Sequence, residues 1–296
     1  MKFWAIWVTG LLLMTGLAQA QMRAQDGLAA LEAGDPEAAR AIWQPLAARG
    51  DVLAQHNLAV LLLTGQGVEA DRAAALDLFA AAAGQGHRPA QLLLAGLLME
   101  DADWPAARHW YEQAAAQGAA QAQFMLGMLK ERGLGGAASR DGAKAQYALA
   151  ADQGHVPATF ALGALLAEGG AAERAADKFA LAAEAGHIEA KFNLGVAFSQ
   201  GLGRAEDAEA ARDWYLRAAQ AGHAPAAYNL ALMLAQGRGG VQSFRRALGW
   251  AMVAQGGGHA QAEAVITMLR EVMSSDAVEA AEAMAAACRE DMRTCE

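Results

Sequence analysis

Apolar positions recur along this chain in a fixed order around a set of evenly spaced glycines. Alanine stands four residues after each glycine, leucine or isoleucine eight residues after it, and a small residue nine residues after it. The glycines, 32 or 36 residues apart, are Gly50, Gly86, Gly118, Gly154, Gly186, Gly222 and Gly258. Because offsets of four and eight fall on one face of an α-helix, the pattern predicts a helix after each glycine, and the small residue at offset nine lets a neighbouring helix come close.

A second helix is predicted before each glycine. An aromatic residue stands seven positions before six of them, as Trp43, Phe79, Tyr111, Tyr147, Phe179 and Tyr215, and alanines follow it. Glycine suits the point where a helix stops and turns. Loops rich in glycine, such as residues 65–68 and 201–203, join the first helix of a unit to the second. One such helix pair cannot bury its apolar face alone, so the units are expected to stack.

The first twenty residues are typical of a secretion signal. Lys2 precedes an apolar run over residues 3–17, and Ala18-Gln19-Ala20 matches a signal-peptidase site. The alternative is an uncleaved membrane anchor, but the run is short for a bilayer span of roughly 20 residues. We expect cleavage after Ala20, no stable membrane insertion afterwards, and a periplasmic or secreted location.

The C-terminal tail departs from the repeat. Ser274-Ser275-Asp276 offers an N-cap to a helix over residues 277–288, which we expect to cover the last repeat. The two cysteines, Cys288 and Cys295, favour a disulfide in an oxidising compartment over a zinc site, since no further ligands lie near them. The expected layout is a signal peptide (1–20), a repeat array (21–270) and a capping helix with its tail (271–296).

Net charge narrows the class of partner. The chain carries a formal charge of −9, and loss of residues 1–20 would remove Lys2 and no acid. An acidic protein lacks the clustered cations that hold nucleic acid or anionic lipid. We therefore expect no nucleic-acid partner, and oligomeric state stays open.

The repeat resembles a known family, the Sel-one-like repeats, which are relatives of the tetratricopeptide repeat. The clearest match runs through Trp214-Tyr215, Ala218-Ala219, Gly222-His223, Ala226 and Tyr228-Asn229-Leu230. The resemblance covers roughly residues 26–270. It implies an all-α fold, a right-handed α/α superhelical solenoid of stacked helix-turn-helix repeats with a C-terminal capping helix. For exported members it also suggests envelope signalling, polysaccharide export or envelope assembly.

The resemblance also points to a binding surface. It implies that the first helices line a concave face, where a protein or peptide partner would lie. Asparagine amides at offset seven could bond a peptide backbone there, and aromatics stand at offset six. The candidate binding residues are Asn57, Asn193, Asn229, Phe124, Phe160, Phe192 and Tyr228. The alternative is that these aromatics fill the core between repeats.

Candidate chemistry is sparse. Histidine follows five of the repeat glycines, as His87, His155, His187, His223 and His259, and is interpreted as a structural residue at the helix start. His56 and His109 stand apart from that set. No Gly-x-Ser-x-Gly nucleophile is present, so we assign no catalytic residue, no metal and no cofactor.

The expected function is a periplasmic scaffold or adaptor; the alternative is a hydrolase or penicillin-interacting enzyme on the same repeats. Cysteine-rich relatives linked to β-lactam binding carry a disulfide in each repeat, which this chain does not.

Overall fold

The computed structural model describes residues 24–290, and every regular element in that range is a helix. The helices are α1 (residues 24–32), α2 (Pro36–Ala48), α3 (Val52–Thr64), α4 (Arg72–Gly84), α5 (Arg88–Glu100), α6 (Trp104–Ala116), α7 (Ala120–Arg132), α8 (Arg140–Ala151), α9 (Val156–Glu168), α10 (Ala172–Glu184), α11 (Ile188–Gln200), α12 (Ala208–Gln220), α13 (Ala224–Gln236), α14 (Phe244–Gly256), α15 (Ala262–Val272) and α16 (Ser275–Glu290). This is the all-α solenoid of helix-turn-helix repeats that the sequence predicted. In each repeat the first helix has an odd number and the second an even one.

The chain divides into two units, one up to Gln146 and one from Tyr147 onward. In the first unit, consecutive helices from α2 to α7 contact each other, around a core that includes Trp43, Phe79 and Tyr111. In the second unit, consecutive helices from α9 to α15 do the same, around Phe179, Tyr215 and Trp250. Each core therefore consists of second-helix aromatics packed against first helices.

The predicted helical phase is confirmed by burial. The offset-four alanines are all 0% exposed: Ala54, Ala90, Ala122, Ala158, Ala190, Ala226 and Ala262. The residues at offset eight are no more than 5% exposed. The small residue at offset nine is needed for close approach, because a Cβ built on Gly163 would lie 2.9 Å from the Phe179 ring, and one on Gly195 would lie 2.7 Å from the Tyr215 ring.

The repeat glycines turn the chain between repeats, as predicted. All seven have positive φ, from +80° to +97°. At Gly222 the turn is closed by two backbone bonds, from the Gly222 N–H to Ala219 O at 2.9 Å and from the His223 N–H to Ala218 O at 3.1 Å. These bonds satisfy carbonyls that the end of α12 would otherwise leave open.

The glycine-rich loops have a role that the sequence did not predict. The second glycine of each loop lies against the start of the second helix in the preceding repeat. A Cβ on Gly203 would lie 2.2 Å from Ala172 O, and one on Gly239 would lie 2.1 Å from Ala208 O. The loops are therefore contacts between repeats within a unit as well as links within one repeat.

Helix α16 covers the last repeat helices of the second unit. The Ser274 hydroxyl accepts a hydrogen bond from the Ala277 N–H at 3.4 Å, as an N-cap does, and the helix begins at Ser275, two residues before the predicted start. Ala281, Ala285 and Cys288 are buried, and α16 packs against α14.

Two predictions concern residues outside the described range. Residues 1–20 and Cys295 both lie there, so signal cleavage and the Cys288–Cys295 pairing stay predictions. Across residues 24–290, no helix combines the length and apolar character needed to cross a membrane.

Candidate functional site

The three candidate asparagines lie at equivalent points of first helices. Asn57 is on α3, Asn193 on α11 and Asn229 on α13, and each is half-buried. Their neighbours at offsets eight and nine are buried. The offset-seven side chains therefore mark the edge where each first helix meets solvent.

Asn229 already has a partner. Its side chain hydrogen-bonds with the Tyr215 hydroxyl, which also bonds with Ser199. Burial raises the pKa of Tyr215, although these two bonds and the nearby Arg238 act in the opposite direction. Asn229 is therefore engaged with the second helix of the preceding repeat.

Asn193 has the same surroundings without that bond. The residue equivalent to Tyr215 is Phe179, which has no hydroxyl. Among the described residues, no group hydrogen-bonds with the Asn193 side chain. Asn57 also has no side-chain partner among the described residues. The residue that corresponds to Tyr215 in its case is Trp43, whose indole N–H donates to Ala24 O at 2.9 Å instead. The asparagines that looked alike in sequence therefore differ in what they can offer a ligand.

Asn193 lines a cavity of about 380 Å³ in the second unit. Its lining residues belong to α9, α10 and α11 and to the loop that follows α11. The lining residues are Ala164, Ala167, Glu168, Ala172, Ala175, Ala176, Phe179, Asn193, Val196, Ala197 and Leu202. The wall is apolar except for the Asn193 amide and the Glu168 carboxyl group.

The side of this cavity formed by α9 includes the small side chains of Ala164 and Ala167. Ala164 stands at offset ten, where α11 has Val196 and α13 has Leu232. The loop from α9 to α10 is also short, because this unit lacks the Gly-x-Gly segment of its neighbours.

Three of the five histidines after the repeat glycines cap a first helix with their side chains, as expected of structural residues at the helix start, whereas His87 makes no side-chain cap bond and the N-cap of α15 is Gln261, not His259. The Nδ1 atom accepts a hydrogen bond from the backbone N–H three residues later, at 3.2 Å in His155, 3.3 Å in His187 and 3.1 Å in His223. An imidazole can accept at Nδ1 only when that nitrogen carries no proton. Burial lowers the pKa of all three, while Glu189 acts in the opposite direction on His187 and His223.

The offset-six aromatics contact these histidines in the following repeat. The ring centroids are 4.3 Å apart for Phe160 and His187, 4.7 Å for Phe192 and His223, and 4.3 Å for Tyr228 and His259. Phe124, on α7, is half-buried. The structure thus places Phe160, Phe192 and Tyr228 in contacts between repeats, which the sequence had left as an alternative to partner binding. Their role in binding stays a prediction.

His56 belongs to this arrangement, although its sequence suggested an isolated residue. It occupies offset six on α3, and its ring lies 4.9 Å from that of His87 and 5.8 Å from that of Phe79. Burial lowers the pKa of His56, and His87 lowers it further. The position of His56, six residues after Gly50, could have identified it as the equivalent of the offset-six aromatics in other repeats.

The first unit has a cavity of a different kind. It measures about 540 Å³ and lies between the second helices α2 and α4 and the first helix α3. Arg40, Glu69 and Asp71 line it with several leucines. Asp71 already caps α4, since its carboxylate accepts from the Ala74 N–H at 2.9 Å.

Comparison with known families matches this geometry. The model of the Sel1 repeat matches residues 52–87, 90–118, 120–155, 188–223 and 224–251, which is more than half of the chain. The chain belongs to the Sel1 repeat family. Residues 156–187 are outside these matches, yet α9 and α10 form the same helix pair, with Ala158 and Leu162 buried. This unmatched helix pair lines the cavity beside Asn193 together with α11.

Solved structures show the same fold. A crystal structure of c5321, a protective antigen present in uropathogenic Escherichia coli strains displaying an SLR fold, is 27% identical with a TM-score of 0.75. That match covers 90% of this chain and 60% of the antigen, so the chain spans less than two thirds of that protein. A Sel1 repeat protein from Oxalobacter formigenes is also 27% identical, with a TM-score of 0.63 over 78% of this chain and 96% of that one. No curated protein matches the sequence.

Sel1 repeats are generally non-catalytic scaffolds that mediate protein–protein interaction. In this chain, residues 24–290 contain no cluster of three or more His, Cys, Asp or Glu side chains placed to hold a metal ion. The cavity beside Asn193 combines a mostly apolar wall with an amide at its edge.

Proposed function

We propose that this Sel1 repeat protein is an exported scaffold that binds a protein partner along the surface formed by its first helices. The cavity between α9 and α11 carries the proposal, because it is an apolar recess with a hydrogen-bonding group at its edge. Binding sites in proteins commonly have this composition, with a mostly apolar wall and a few placed polar groups.

First helices of the first unit also carry apolar side chains at the offset-seven position. On α5 the offset-seven residue is Leu93, which is 40% exposed, and on α7 it is Met125, which is half-buried. In the first unit, these offset-seven positions therefore offer a partner apolar side chains. Stacked repeats present such residues at regular intervals, which suits an extended segment of another protein.

We place this interaction in the bacterial envelope, in signalling or in polysaccharide and envelope assembly. The signal-like segment over residues 1–20 supports export. The description of the similar E. coli protein as a protective antigen agrees with a location outside the cytoplasm. The acidic net charge of −9 favours a protein partner over nucleic acid.

Crosslinking capture from the envelope fraction tests the proposal. Leu93→Lys and Asn193→Lys each place a long charged side chain on the first-helix surface. Leu181→Lys is the matched control, because Leu181 is 56% exposed on the second helix α10. We expect the two first-helix variants to lose the captured partner and the control to retain it, with equal helical circular dichroism in all three. Loss in the control alone would place the interface on the second helices.

A further inference from the structure

We propose that His56 and His87 form a binding site for a divalent transition-metal ion, with copper(II) as the ion that they hold most tightly. The two side chains belong to neighbouring repeats of the first unit, because His56 lies on the first helix α3 and His87 directly precedes the first helix α5. The site is independent of the partner-binding surface proposed above. Three observations support it: the pairing of two histidines at this contact, the separation of their rings, and the nitrogens that both leave unbonded.

The offset-six position brings the two histidines together. In later repeats that position holds Phe160, Phe192 or Tyr228, and each of these rings packs against the histidine that follows the next repeat glycine. In the first repeat His56 replaces the aromatic residue, so this contact contains two imidazoles. The His56 ring also packs against Phe79 on α4, at 5.8 Å between centroids. Packing between repeats therefore holds two nitrogen donors beside each other before any ion is bound.

The separation of the two rings suits a shared ion. Their centroids are 4.9 Å apart, and their planes are inclined by 67°. Two imidazoles that bind one ion through nitrogens at about 2.0–2.1 Å have centroids about 4.4–5.3 Å apart, for ligand angles between about 90° and 109°. Because the observed separation falls in this range, the rings have to turn about their side-chain bonds but not to move apart when an ion binds. Both side chains are half-buried, so an ion can reach them from solvent.

Both imidazoles have nitrogens that bond to no protein group. The Nδ1 atom of His56 is buried, and it has no hydrogen-bond partner among residues 24–290. His87 makes no side-chain cap bond, unlike His155, His187 and His223, whose Nδ1 atoms accept from the backbone. A buried polar atom without a partner costs free energy, and ligation of an ion by that nitrogen would supply the missing partner.

The two donors also select the kind of ion. Burial lowers the pKa of both His56 and His87, so both rings are neutral at pH 7, which is the form that ligates a metal. Imidazole nitrogens favour copper, nickel and zinc over magnesium and calcium, and copper(II) binds most tightly in that series. Since the described part of the chain holds no group of three such ligands, the other positions on the ion are open to water or to an external ligand.

Copper(II) binding to the exported chain, prepared without an affinity tag, tests the site. Isothermal titration at pH 7 in the presence of glycine, a weak competitor, measures the affinity, and electron paramagnetic resonance shows how many nitrogens ligate the ion. His56→Phe removes the nitrogens of one ring and installs the residue found at this position in Phe160 and Phe192, so the fold should accept it. His87→Asn removes the other ring. His187→Asn is the matched control, because His187 packs against Phe160 and not against a second histidine.

We expect one copper(II) ion per chain with two imidazole nitrogens in its spectrum, and a higher Tm with the ion bound, because binding to the folded state stabilises it. His56→Phe and His87→Asn should each weaken the affinity at least about tenfold, since changes to residues that merely orient metal ligands already cost that much. The control should bind copper(II) as the unaltered protein does. Zinc should bind more weakly than copper, and magnesium should not bind.

Three results would overturn the site. Equal copper(II) affinity in the unaltered protein and in His56→Phe would show that His56 is not a ligand. Loss of affinity in His87→Asn alone would show that one imidazole is sufficient. An equal loss in the control would mean that copper binds to the repeat histidines in general. Circular dichroism checks the fold of each variant, and if His87→Asn does not fold, the comparison of His56→Phe with the control decides the question.

Discussion

The contact between a glycine-rich loop and the preceding repeat predicts a large effect for Gly203→Ala. Gly203 has a φ of +70°, and an added Cβ would lie 2.2 Å from both C and O of Ala172 and 2.5 Å from the backbone nitrogen of Glu173. All three atoms belong to the first turn of α10, so no side-chain rotation can relieve the clash. The loop and α10 would have to separate.

Gly201 is the matched control in the same loop. Its φ of +68° is nearly the same, but an added Cβ would lie no closer than 3.7 Å to its nearest neighbour, Arg204 O. Left-handed backbone costs an alanine about 1–2 kcal/mol at either position. Overpacking at Gly203 adds about 1–3 kcal/mol. We therefore expect Gly203→Ala to lower the free energy of unfolding by about 2–5 kcal/mol, and Gly201→Ala by about 1–2 kcal/mol.

Thermal unfolding followed by circular dichroism at 222 nm measures the difference. Each kcal/mol lowers Tm by about 2–4 °C in a chain of this size. Hydrogen exchange should show the additional loss in α10 and α11, because repeats depend mainly on their neighbours. Equal Tm values for the two variants would refute the argument, since the backbone clash would then contribute nothing.

Three further predictions concern the capping histidines, a buried alanine and the two cysteines. The free energy of unfolding should decrease as pH falls through about 6.5, because burial lowers the folded-state pKa of the capping histidines and the unfolded chain therefore binds protons first. His187→Asn keeps a cap but does not titrate, so it should reduce the dependence of the unfolding free energy, measured in urea, on pH between 7 and 5. An unchanged pH dependence would contradict this. Ala190→Phe should cost about 1–3 kcal/mol or more, because Ala190 is 0% exposed, and an unchanged Tm would show that the site can expand. Thiol labelling of native protein from an oxidising compartment should leave both Cys288 and Cys295 unmodified, and labelling of both would exclude the disulfide.

Much of the fold was predictable because the same buried positions and turn glycines recur in every repeat. Alanine at offset four is buried in every unit, and the glycines that the sequence placed at helix ends all turn the chain with a positive φ. Even residues 156–187, which the family model does not match, keep Ala158, Leu162 and Gly186 in their places. Periodicity of this kind reports on local helix faces and turns, so it predicts them well.

The candidate site was less predictable because it depends on contacts between repeats. Asn193 and Asn229 look equivalent in sequence, yet a hydroxyl on the preceding repeat binds one and is missing beside the other. The residue at offset seven does not reveal this difference by itself. A comparison with the aromatic residue of the preceding repeat, which is Phe179 for Asn193 and Tyr215 for Asn229, would have revealed it. The loop glycine Gly203 likewise contacts residues 31 positions earlier, a distance at which helix periodicity carries no information.

The central claim is that a protein partner lies on the first helices, and site-specific photo-crosslinking in living cells tests it most directly. A photoreactive phenylalanine is placed singly at Leu93, at Asn193 and, on the second helix α10, at Leu181. Exposed or half-buried positions of this kind should admit the probe without loss of the fold, and circular dichroism of each variant checks this. The account predicts the same crosslinked protein from Leu93 and Asn193 and none from Leu181. An adduct from Leu181 with none from the other two positions would contradict it.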